Sequence, residues 1–144
     1  MKTRLLSFAL ALVLALGLTP SVLAAESGYT DVPEDHWAAE SVQRSTELGI
    51  FQGVGGGRFG LGQPISRAAF VTALVRLFGW EEVSPEGSFS DVPKDKWYAA
   101  AVETAAAHDA LPAGSRAFRP EDNITREEMA VIIVRGLGYA PLAP

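Results

Sequence analysis

Tyr29-Thr30-Asp31-Val32-Pro33-Glu34-Asp35-His36-Trp37-Ala38-Ala39 returns further along the chain as Phe89-Ser90-Asp91-Val92-Pro93-Lys94-Asp95-Lys96-Trp97-Tyr98-Ala99. The match continues in order. Arg58-Phe59 and Pro64-Ile65-Ser66-Arg67-Ala68-Ala69-Phe70 pair with Ala117-Phe118 and Asn123-Ile124-Thr125-Arg126-Glu127-Glu128-Met129, the second copy having lost one residue in its middle loop. Both copies close alike, as Leu74-Val75-Arg76-Leu77-Phe78-Gly79-Trp80 and Ile133-Val134-Arg135-Gly136-Leu137-Gly138-Tyr139. Agreement of order, type and spacing over such a length marks an internal duplication.

Each copy reads as two helices with a loop between them. Pro33 and Pro93 set the chain ahead of a helix start, where Asp35 and Asp95 are expected to cap the first turn. The first helices are expected from about Trp37 to Leu48, stopped by Gly49, and from about Trp97 to His108. In the latter, Tyr98, Ala101, Val102 and Ala105 share one face at helical spacing, and the alanines permit close approach of a neighbour. Ser66 caps the second helix of copy one. Thr125 with Glu128 three residues on forms a reciprocal capping box in copy two, which Ala69 breaks in copy one. Phe70, Leu74, Leu77 and Phe78 make one apolar stripe, and Met129, Ile132, Ile133 and Leu137 make the other. Gly79 and Gly138 are the expected left-handed stops. Gly53-Val54-Gly55-Gly56-Gly57 is a turn or loop. The domain plan is therefore repeat one at 29–80, a linker at 81–88, repeat two at 89–139 and a tail at 140–144.

Ahead of the repeats, Lys2 and Arg4 precede an apolar run from Leu5 to Leu18, and Ser21-Val22-Leu23-Ala24-Ala25 offers a small-residue cleavage site. Residues 1–24 are expected to be a signal peptide cut after Ala24, since the run is shorter than the roughly 20 residues a spanning helix needs. No cysteine follows, which excludes a lipid-anchored lipoprotein, and no membrane association is expected after cleavage. The chain carries 12 basic and 17 acidic residues, a net of −5, and loss of Lys2 and Arg4 takes it to −7. That balance argues against nucleic acid, whose phosphates demand a basic footprint. With no cysteine there is no disulfide framework or cysteine zinc site, so an exported chain must rely on a packed core.

The Asp-Val-Pro…Trp opening, the Gly-rich middle with a following Phe and the Ile-Thr-Arg-Glu-Glu helix start resemble S-layer homology (SLH) domains. The likeness covers roughly residues 29–80 and 89–139. It implies a mainly α fold of tandem helix-loop-helix repeats, of which two lobes of the usual three-lobe pseudo-trimer are present, with ligand grooves between repeats. It also implies non-covalent binding to secondary cell-wall polysaccharide, often pyruvylated, at the surface of bacteria with a Gram-positive-type wall. Copy one departs from the motif at Ser66-Arg67-Ala68-Ala69. Copy two departs at Leu111-Pro112-Ala113-Gly114-Ser115, which lacks the Gly-rich character.

The candidate polysaccharide-binding residues are Asp31, Trp37, Gly53, Arg67, Asp91, Trp97 and Arg126. Arg67 and Arg126 stand at helix starts, where a planar guanidinium and the helix N-terminus suit a carboxylate such as a pyruvyl ketal. The alternative is an internal ion pair with Asp31, Asp91 or another acid. The intact cap beside Arg126 makes it the stronger of the two. Trp37 and Trp97 can stack on a sugar face, although an aromatic at the start of an amphipathic helix is more often core. Asp31 and Asp91 can accept sugar hydroxyls or bind their own turn. Gly53 to Gly57 can bring a glycan close to bare backbone or simply form a tight turn.

Enzyme signatures are missing. His36 and His108 fall at unmatched repeat positions, and no nucleophile elbow, P-loop or EF-hand pattern appears. The Asp31, Glu34, Asp35, His36 cluster is broken by Pro33, and Lys94 and Lys96 replace two members in copy two, so neither metal nor cofactor is expected. The expectation is a secreted, non-enzymatic anchor of the cell wall or S-layer. The alternative is an exported assembly protein whose repeats pair with another copy, as a homodimer, or with other SLH proteins. No passenger domain is expected after Ala143-Pro144, and an anchor of this kind would then take a partner or coat the wall itself.

Overall fold

A computed structural model describes residues 28–111 and 116–139. The expected signal segment 1–24 and tail 140–144 lie outside the described residues. Among the described residues there are four α-helices: α1 Ala39–Glu47, α2 Arg67–Phe78, α3 Ala99–Ala107 and α4 Arg126–Val134. Arg135–Tyr139 continues α4 as a wider turn that ends at Gly138 in a left-handed conformation. Among the described residues there is no strand, only two isolated bridges, and no helix is long and apolar enough to cross a membrane. The mainly helical, two-helices-per-copy reading is what the chain adopts.

The caps of α2 and α4 follow the sequence. Ser66 accepts the Ala69 N–H at 3.2 Å, and Gly79 closes α2 at φ +65°. Thr125 and Glu128 exchange both bonds of the capping box, at 3.2 and 2.9 Å. The starts of α1 and α3 differ from expectation. Neither Asp35 nor Asp95 caps them. The N-cap residues are Ala38 and Tyr98, without a side-chain cap bond. The chain instead enters each helix through a preceding turn, His36 N–H to the Pro33 carbonyl and Ala39 N–H to that of His36, repeated by Lys96 to Pro93 and Ala99 to Lys96.

That later start overturns the core reading of the tryptophans. Trp37 and Trp97 lie in the turn before the helix rather than on its inner stripe, and they are 88% and 65% exposed. The next residue points inward instead. Tyr98 is 2% exposed and Ala38 is buried. Ala101, Val102 and Ala105 of α3 are buried as the helical spacing requires.

The sequence repeat is not the packing unit. The main core joins Ala68, Val71, Leu74 and Val75 of α2 to Tyr98, Ala101, Val102 and Ala105 of α3 and to Ile132 of α4. Copy one thus lends its second helix to the core of copy two. The alanines of α3 let α2 approach, and dense apolar burial is worth about 25 cal/mol per Å². A smaller cluster of Val32, Ala38, Ala39 and Val42, covered by Tyr29, Phe59 and Leu61, serves α1. Leu77 and Leu137, both on the expected stripes, are exposed, whereas Trp80 is half-buried, stacked on the His108 ring at 4.1 Å.

The linker is fixed to α3. The Val83 N–H donates to the Thr104 hydroxyl at 2.9 Å, and Glu103 accepts from the Gly87 and Ser88 backbone and the Ser88 hydroxyl. The two copies are therefore tethered through ordered contacts as well as through the shared core.

Candidate functional site

Asp31 and Asp91 hold loops far along the chain. The Asp31 carboxylate accepts the N–H groups of Phe59 at 2.7 Å, Gly60 at 2.8 Å and Leu61 at 3.2 Å. Asp91 accepts those of Phe118 and Arg119, both at 2.7 Å. Partial burial alone would raise each carboxyl, but the backbone donors outweigh it and hold both below the ordinary aspartate range. Each carboxylate also takes a bond from its own backbone N–H, so it binds its turn and clamps a distant loop at once. The sequence sign is the pairing of each Asp with a Phe at nearly equal distance, Asp31 with Phe59 and Asp91 with Phe118.

The loop clamped by Asp91 receives α2 from the other copy. The Arg67 N–H donates to the Asp122 carbonyl at 2.9 Å, the Ala68 N–H to that of Pro120 at 3.0 Å, and the Ile124 N–H to that of Ile65 at 3.0 Å. The amides at the start of α2 are consequently spent on the second copy. The Arg67 side chain follows them. Its Nε donates to the Phe118 carbonyl at 2.8 Å, its guanidinium lies 5.3 Å from the Phe118 ring centre, and Nη1 stands 2.6 Å from Glu128 Oε1. The last contact is ionic and not aligned as a hydrogen bond. Arg119 reaches the same Glu128 oxygen at 3.0 Å and Asp122 at 3.6 Å. Glu128 is held below its usual range by the Thr125 backbone N–H, and further by Arg67 and Arg119. Arg67 thus makes an internal ion pair, and the acid is Glu128.

Two cavities flank these contacts. The first, of about 340 Å³, is lined by Arg67, Phe89, Phe118, Arg119, Glu127 and Glu128 among others. Its charges are two of each sign, and three of the four are engaged with one another. The second, of about 490 Å³, lies between the loops of copy one and the start of α3 in copy two. Gln52, Gln63, Ser66, Asn123, Trp97 and Arg76 are among its polar and aromatic lining, with Phe51, Phe59 and several aliphatic side chains, and Gly53 forms part of its wall. A side chain at Gly53 would meet the Arg58 carbonyl at 2.5 Å, so the backbone there, at φ +71°, stays bare.

The structure brings Trp97 and Gly53 together in the second cavity. It sets Arg67 in the first and places Asp31 and Asp91 beneath the loops that shape the two. Trp37 and Arg126 line neither cavity, and Arg126 is exposed at the start of α4. The sequence reading missed Arg76, Gln52, Gln63 and Asn123. They sit in different elements, and only the docking of copy one on copy two gathers them. Among the described residues no group of three or more metal-ligating side chains occurs.

A duplicated helical module with a shared core and grooves between its copies is a repeat-built module. The family model of the S-layer homology domain matches residues 28–71 and 88–130, and the chain belongs to that family. It is 34% identical over 137 residues to a "Surface layer protein" of Brevibacillus choshinensis, covering 92% of this chain and 12% of that protein. It is 34% identical over 139 residues to the "Middle cell wall protein" of Brevibacillus brevis, covering 92% and 13%. An "Exoglucanase XynX" of Acetivibrio thermocellus is 30% identical over 123 residues, covering 85% and 11%. The chain spans about an eighth of the length of these relatives. Membership makes this a cell-surface protein of the S-layer and cell-wall kind, with anchoring as the general role of its repeats.

Proposed function

We propose that the chain is a non-enzymatic module that binds secondary cell-wall polysaccharide, with the pyruvyl ketal that the family resemblance implies as its anionic group, and so anchors itself at the cell surface after removal of residues 1–24. The observation that carries the reading is the groove of about 490 Å³ between the copies, with the exposed indole of Trp97 at one side and the carboxamides of Gln52, Gln63 and Asn123 around it. An indole offers a flat apolar face to a sugar ring, and carboxamides both donate to and accept from hydroxyls. Bare backbone at Gly53 allows a glycan to lie close. Among the expected site residues, Trp97 and Gly53 contact the glycan directly in this reading. Asp31 and Asp91 act through the loops they clamp.

Calorimetric titration of purified wall polysaccharide tests it. Trp97→Ala should weaken binding about tenfold or more, in keeping with the loss of one stacked aromatic. Trp37→Ala, outside both cavities, should leave it within about twofold. Equal loss in both variants, or in neither, would remove the groove from consideration.

A second reading, association with another copy or with other SLH repeats, is favoured by the exposed Leu77, Ile133, Leu137 and Tyr139. In that case the chain would act as an exported assembly protein. Concentration-dependent sedimentation in the absence of any glycan is its signature.

A further inference from the structure

The two copies carry one arginine each near the end of their second helix, and the structure treats them differently. Arg135 is spent internally, its Nε donating to the Asp109 carbonyl at 3.0 Å. Its counterpart Arg76 is exposed on the last turn of α2, lines the groove, and makes no side-chain hydrogen bond or ion pair among the described residues. Among the described residues Arg76 is also the only ionisable side chain in the lining of that groove. The groove therefore carries a single positive charge on a chain whose net charge is −5. The first cavity offers the contrast. Arg67 and Arg119 both meet Glu128 inside it, Arg119 also pairs with Asp122, and Glu127 lines the same wall, so its positive charges are matched by acids.

We infer that Arg76, rather than the helix-start arginines Arg67 and Arg126, reads the negative charge of the glycan, and that the chain has one such site. This rests on the polysaccharide reading above and gives it a residue. The ligand unit is a sugar bearing a carboxylate substituent, its ring against Trp97, its hydroxyls toward Gln52, Gln63 and Asn123, and its carboxylate on the Arg76 fork. A guanidinium presents parallel N–H donors to the two oxygens of a carboxylate, which a lysine ammonium does not. The wide mouth leaves Arg76 partly hydrated, so the charge acts mainly as discrimination between acidic and neutral sugars and is weakened by salt.

The test uses the full chain with two probes, purified wall polysaccharide and the same polymer after chemical reduction of its carboxyl groups to alcohols. Wild type should prefer the native polymer by roughly tenfold, with about one ligand unit bound per chain. Arg76→Gln should lose that preference while keeping the wild-type affinity for the reduced polymer. Arg76→Lys should retain part of it. Arg135→Gln, the counterpart outside the groove, should behave as wild type. An unchanged preference in Arg76→Gln, with loss in Arg67→Gln or Arg126→Gln, would overturn the assignment and return the role to the helix starts. Two units bound per chain would overturn the single site. A wild-type chain that binds neither polymer would instead overturn the polysaccharide reading as a whole. Arg76 is exposed, so unchanged helical circular dichroism is expected in both of its variants.

Discussion

Arg67 and Arg126 occupy the same position in the two copies, yet their surroundings separate them. Arg67 is buried between the Phe118 carbonyl, the Phe118 ring and Glu128, whereas Arg126 stands in solvent. Removing Arg67 strands a partly buried carboxylate and a buried carbonyl. Arg67→Ala should therefore cost about 2–4 kcal/mol, toward the lower side because Arg119 still reaches Glu128. Arg126→Ala should cost under about 0.5 kcal/mol, the range of an ordinary surface change. Urea denaturation of the two variants measures the difference, and equal losses would contradict the packing at the start of α2. The motif arginine was legible in the sequence as a residue with a partner. Which acid it meets was not, because Glu128 lies in the other copy and comes near only through docking.

At the scale of elements, the duplication supplies its own controls. The turn that ends α1 uses Gly49 at φ +70°, and the matching turn after α3 uses Asp109 at φ +57°. A side chain in the left-handed region is strained, and an acid at a helix C-terminus faces the negative end of the dipole. Asp109→Gly should stabilise the protein by roughly 0.5–1 kcal/mol after the entropy glycine adds to the unfolded chain. The bond from Arg135 survives, because it ends on the backbone carbonyl. A lower thermal midpoint in this variant would mean that the carboxylate makes a contact the fold needs. Helix existence and most caps could be read directly, since Ser66, Thr125, Glu128 and Gly79 act within a few residues. The starts of α1 and α3 could not, because no side-chain cap marks them. The turn carried by Pro33 and Pro93 moves each start two residues on and turns Trp37 and Trp97 outward.

For the whole molecule, the central finding is that copy one completes copy two. The α2 helix belongs to the main core, its first amides are satisfied by the loop before α4, and the linker is held on α3. Period and motif announced two repeats, but no local pattern says that their helices interleave, which is a matter of which apolar faces fit. The same docking makes the groove. Gln52, Gln63, Asn123, Trp97 and Arg76 are scattered from residue 52 to residue 123 and line one cavity only when the copies close on each other. The cell-surface setting follows from the family, and anchoring through the groove is the proposal made on it. The most direct test is sedimentation of the protein with purified walls before and after their secondary polysaccharide is stripped. The chain should pellet with native walls and stay in solution with stripped ones. Equal pelleting with both, or with neither, would contradict anchoring through that polymer.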